Sequence, residues 1–132
     1  MSSNVSRLAR ACFALSAAAV TAHVPPPASA QSTPPRVIEI VVKRFEFVPS
    51  SVEVVQGERV RLVVKSGDGL HGFGIKRFDI SKEVARGETV TIDLTADAVG
   101  TFPILCTEFC GKGHEDMKGE LVVTAAAAGG QP

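Results

Sequence analysis

Residues 106–117 read CTEFCGKGHEDM and place Cys106, Cys110, His114 and Met117 within one short stretch. Two thiolates, an imidazole and a thioether make a soft donor set, which selects copper over hard cations. One cysteine with a histidine and a methionine suits a mononuclear blue-copper site. The second cysteine changes the stoichiometry, because two thiolates can bridge two copper ions. Structural zinc prefers cysteine and histidine without methionine, and calcium and magnesium take oxygen donors. Copper is therefore the expected ion.

In an exported chain a bare C-x3-C pair suits a disulfide about as well as a metal. His114 and Met117 beside the pair turn the expectation toward metal. Cys106 ends an expected strand and Cys110 sits in the loop that follows. That arrangement gives one rigid thiolate and one able to fold back, with Gly111 and Gly113 allowing the loop to curl.

The first thirty residues have the composition of an export signal. Arg7 and Arg10 form a positive start, Ala11–Ala22 (ACFALSAAAVTA) is apolar, and Ala28-Ser29-Ala30 fits a cleavage site after Ala30. Cys12 lies inside the apolar run and is read as part of it. The run is short of the roughly 20 residues that span a bilayer. The expected product is a soluble periplasmic chain of one domain, with no transmembrane segment.

Cleavage would leave 12 basic and 14 acidic residues, a near-neutral balance that argues against nucleic acid or an anionic membrane as the main partner. It would also remove Cys12, His23 and Met1. The remaining cysteines, histidines and methionine are then Cys106, Cys110, His114, Met117 and His71. The donor set has no spares. His71 follows a Gly-Asp-Gly turn, and Phe73 stands close enough in sequence to shield it. Met117 suits a weak axial ligand, and the Glu108 carbonyl lies in the same loop. Phe109, Leu105 and Phe102 are candidates to limit solvent access.

The rest of the chain alternates. QSTPPR (31–36) reads as a Pro-rich linker. Strands are expected over Val37–Lys43, around Phe45 and Phe47, and over Ser51–Val55, Arg59–Lys65, Leu70–Ile75, Thr89–Thr95, Gly100–Cys106 and Lys118–Thr124. Pro103 suggests an edge or a bulge. The AAAAGGQP tail (125–132) reads as disordered. Seven or eight short strands over residues 37–124, with no helical period, predict an all-β, antiparallel sandwich.

The pattern C-x-E-x-C-G-x-x-H-x-x-M, with H-x-F upstream, resembles the CuA copper centre of cytochrome c oxidase subunit II and nitrous oxide reductase. The strand pattern over 37–124 is similar to the cupredoxin fold of that family, a Greek-key β-sandwich. The resemblance implies a binuclear centre of two copper ions. It implies that Cys106 and Cys110 bridge the pair. His71 and Met117 would complete one ion, and His114 with the Glu108 carbonyl the other. Sharing one electron over two ions halves the change that each experiences. The implied role is a periplasmic electron carrier, not an enzyme by itself. The implied partner is a c-type cytochrome or a terminal oxidase. Copper storage or delivery to an oxidase is the alternative for the same ligands. The chain has no Trp and no Tyr, so the Trp-containing surface through which the oxidase family accepts electrons has no counterpart in it. Nor does it offer a Ser/His/Asp set or a phosphate-cradling glycine loop for substrate chemistry.

Overall fold

The structure is a computed structural model in which residues 33–128 are described. The expected signal segment, residues 1–30, lies outside the described residues, as do 31–32 and 129–132.

Alternating side chains build two sheets around a shared apolar core. The strands are β1 (Arg36–Lys43), β2 (Glu46–Val48), β3 (Ser51–Val55), β4 (Arg59–Ser66), β5 (His71–Ile75), β6 (Ile80–Val84), β7 (Thr89–Thr95), β8 (Gly100–Leu105) and β9 (Lys118–Thr124). One sheet has the order β2-β1-β4-β7 and the other β3-β9-β8-β5-β6. In β4, Val60, Leu62 and Val64 are buried while Arg59, Arg61 and Lys65 face outward, as strict period-two patterning requires. Phe47 from one sheet meets Phe73 from the other edge-to-face, ring centroids 5.7 Å apart. Such a pair contributes about 0.5–1.5 kcal/mol beyond its burial.

The all-β sandwich follows the sequence expectation, with three corrections. The sheets are mixed rather than antiparallel: β1 runs parallel to β4 and β3 parallel to β9. Alternation looks the same in either direction, so patterning does not reveal strand direction. The strand β6 was also not expected. Its sequence ISKEV buries only Ile80 and Val84, and an edge strand carrying charges gives a weak apolar signal.

Pro103 does not mark an edge strand. β8 lies inside its sheet, paired with β9 from Gly100 to Leu105. Its pairing with β5, however, is confined to Gly74–Leu105. The proline therefore sits in a strand with a largely unladdered second side, which removes the usual cost of a missing donor.

Candidate metal centre

Three segments converge at one end of the sandwich: the β4–β5 loop, the start of β5, and the loop after β8. Two glycines permit the approach. A Cβ on Gly72 would fall on Thr107 Oγ1 and on the amides of Thr107 and Glu108, and one on Gly74 would lie 2.5 Å from Thr107 Cγ2. With hydrogens there instead, the 106–108 backbone lies directly against β5. The Gly72 amide donates to Cys106 Sγ at 3.4 Å.

The donors predicted from sequence come together. A ring nitrogen of His71, Cys106 Sγ and Cys110 Sγ all lie within 4.8 Å of one another. The two sulfurs are 3.6 Å apart, well beyond the roughly 2.05 Å of a disulfide, and both cysteines are free thiols. The Glu108 carbonyl is 3.1 Å from Cys106 Sγ. Cys110 Sγ has His114 Nδ1 at 3.9 Å and Met117 Sδ at 3.8 Å. A 3-10 turn, His114–Asp116, folds the loop back so that Met117 enters the core just before β9. His71, Cys106, Cys110 and Met117 are buried, while His114 is half-buried at the rim.

His71 is the most informative of these groups. It is fully buried, its Nε2 faces Asp68 Oδ1 at 2.7 Å, and its Nδ1 has no hydrogen-bond partner. An orphaned buried nitrogen is costly unless something else uses its lone pair. Its partnered Nε2 and bare Nδ1 match the pattern of metal-ligating histidines, whose second nitrogen donates to a carboxylate. Burial, with Cys106 alongside adding to the effect, pushes the Cys110 thiol up to about 11. A cation must therefore displace a proton to engage it. The set of two thiols, two imidazoles, a thioether and a carbonyl fits copper.

Several shielding expectations need correction. Phe109 is 76% exposed and rests beside His114, ring centroids 5.7 Å apart. Leu105 is also exposed, and Phe102 packs edge-to-face on Phe78. Neither Phe109 nor Leu105 seals the site. Phe45, just ahead of β2, takes a larger part: its ring lies 2.5 Å from where a Cβ on Gly113 would be and 3.1 Å from one on Gly111. Gly111 needs its glycine for backbone reasons as well, with φ at 137°. Gly113 has an ordinary φ of −95° and is needed for space. Asp68 and Phe45 are site neighbours that the sequence expectation does not include. The D-x-x-H spacing of Asp68 and His71 is a signal that could have found the first.

The cupredoxin-like domain model matches residues 11–123. The chain belongs to the cupredoxin-like family. It is 34% identical over 86 residues to cytochrome c oxidase subunit 2 of Thermus thermophilus, covering 65% of this chain and 64% of that protein. It is 35% identical over 74 residues to nitrous-oxide reductase of Ralstonia nicotianae, covering 53% of this chain and 12% of that enzyme. The matched part of this cupredoxin thus spans less than two-thirds of either relative. Among solved structures, the periplasmic domain of cytochrome oxidase subunit II of Bradyrhizobium japonicum superimposes with a TM-score of 0.63. That match has 18% identity over 68% of this chain and 84% of that one. At that identity the likeness is one of fold. Among the described residues, no helix is long and apolar enough to cross a membrane.

Proposed function

We propose that this cupredoxin is a periplasmic electron-transfer protein holding a binuclear copper centre of the CuA type. The observation that carries the reading is the pairing of Cys106 and Cys110, their sulfurs 3.6 Å apart and ringed by His71, Glu108 O, His114 and Met117. In this reading Cys106 and Cys110 would hold both ions, His71 and Met117 would complete the donors of one, and His114 with the Glu108 carbonyl those of the other. Copper bound there supplies reversible one-electron chemistry.

The chain's own residues favour that task over bond-making. Ligands from β5 and from the loop after β8 are fixed by Gly72–Cys106 and Asp68–His71 contacts, so the site is held before any ion arrives. Burial of Cys106, Cys110, Met117 and His71 excludes water from the donors. His114 is half-buried beside the exposed Phe109 and is the more exposed of the two imidazoles. Similarity to cytochrome c oxidase subunit 2 proteins supports a c-type cytochrome or a terminal oxidase as the redox partner. The n-region, apolar run and Ala28-Ser29-Ala30 of residues 1–30 support export and cleavage after Ala30, and the strand pattern supports a cupredoxin domain over 37–124.

Copper titration of the chain tests the reading. Two ions per chain are expected, with Cys106→Ser and Cys110→Ser each abolishing the two-ion product. Two ions retained by either variant would remove the bridging role.

A further inference from the structure

The Arg44–Phe45 turn between β1 and β2 touches both segments that bear the donors. On one side the Phe45 ring lies against Gly111 and Gly113. On the other, the Arg44 amide donates to Asp68 Oδ2 at 2.9 Å, while Asp68 Oδ1 faces His71 Nε2 at 2.7 Å. Each carboxylate oxygen of Asp68 thus has its own partner. The loop carrying Asp68 is itself pinned. The Ser66 hydroxyl donates to the Gly69 carbonyl, and the Gly67 amide donates to the Val42 carbonyl at 2.9 Å.

This arrangement has a chemical consequence at the buried ring. A neutral imidazole carries one N–H, and the hydrogen bond made by one nitrogen decides where it sits. An acceptor at Nε2 keeps the proton there and leaves the lone pair on Nδ1. Nδ1 is the nitrogen without a partner. We propose that Asp68 is a positioning residue, locking His71 in the Nε2–H tautomer with Nδ1 open as a donor, and that the Arg44 amide holds Asp68 for that task. What Nδ1 meets rests on the copper reading above; the tautomer does not.

The alternative is that Asp68 merely closes a surface turn. Three substitutions separate the two. Asp68→Ala removes both contacts. Asp68→Leu keeps a similar size but offers no acceptor to His71 or to the Arg44 amide. Asp68→Glu keeps both acceptors on a longer arm.

The experiment uses the full chain. Imidazole nitrogen NMR of the copper-free protein at about pH 8, above the ordinary histidine range near 6.5, reads the tautomer. His71 is expected as Nε2–H in the wild type and as a mixture in Asp68→Ala. In the second arm, copper-loaded protein is challenged with a chelator. Release is expected to be about 10–100-fold faster for Asp68→Ala, with an altered copper EPR spectrum and partial recovery in Asp68→Glu. Should Asp68→Ala be poorly folded, Asp68→Leu carries both arms. A wild-type tautomer and wild-type release rate in Asp68→Ala and Asp68→Leu would overturn the role. A wild-type chain that takes up no copper would defeat the functional reading instead, and the tautomer arm would still decide the role of Asp68.

Discussion

The Gly72 amide donates to Cys106 Sγ across 3.4 Å, joining the start of β5 to the end of β8. A backbone donor aimed at a sulfur stabilises its thiolate form, and a strand amide cannot easily move away. The contact exists because Gly72 has no side chain to keep the 106–108 backbone at a distance.

Gly72→Ala should therefore disrupt the site more than a surface glycine change would. Its Cβ would fall on backbone amides of Thr107 and Glu108, which cannot rotate aside. Overpacking of this kind costs about 1–3 kcal/mol. Copper uptake is expected to fall together with the urea midpoint. Gly57, where a Cβ meets nothing within 4 Å but φ is 85°, provides a comparison that strains the backbone without touching the site. Unchanged copper uptake in Gly72→Ala would contradict the close approach.

Phe45 and Gly113 should be energetically coupled. A Cβ on Gly113 would lie 2.5 Å from the Phe45 ring, so Gly113→Ala must push the ring or the His114 loop outward. Phe45→Ala makes room for that methyl. The double variant is expected to retain copper better than the sum of the single losses implies, by roughly 0.5–3 kcal/mol of interaction. Chelator competition on the four proteins measures it. Simple additivity would show that the ring does not seat the loop.

The Arg61–Asp93 pair gives a pH signature away from the metal site. Arg61 reaches both Asp93 oxygens, at 2.7 and 2.8 Å, across registered strands. Hydrogen bonding to Arg61 holds the Asp93 carboxyl below its ordinary range. A carboxyl lowered in the folded state adds stability that is complete above its unfolded pKa, near 3.9. That stability is lost as pH falls through the folded value. The pair is exposed, so the effect is small. Wild type and Asp93→Asn should differ by a constant amount in urea midpoint above about pH 5, and the gap should close under acid. A gap that widens on acidification would show that the pair does not favour the ionised Asp93 in the folded state.

The chain's local chemistry was readable before its geometry. Cys106, Cys110, His114 and Met117 are near neighbours in sequence, so their meeting needs only a curled loop. His71 could be added because no other imidazole remained after the expected signal. The contacts that hold these donors were harder to read. Asp68 looks like a turn aspartate until His71 is seen to be buried. Phe45 looks like one member of an alternating pair with Phe47, yet Phe47 enters the core and Phe45 stays at the surface over two glycines. The parallel pairings of β1 with β4 and β3 with β9 join segments far apart in sequence, and alternation carries no mark of direction. β6 was missed because its short charged sequence spends most of its side chains on solvent.

The proposed centre has two ions sharing one pair of sulfurs. The most direct measurement is EPR of the copper-reconstituted chain, together with a metal count. Two coppers per chain are expected, with a hyperfine pattern from one unpaired electron spread over both nuclei. One copper per chain, or a signal confined to a single nucleus, would contradict it.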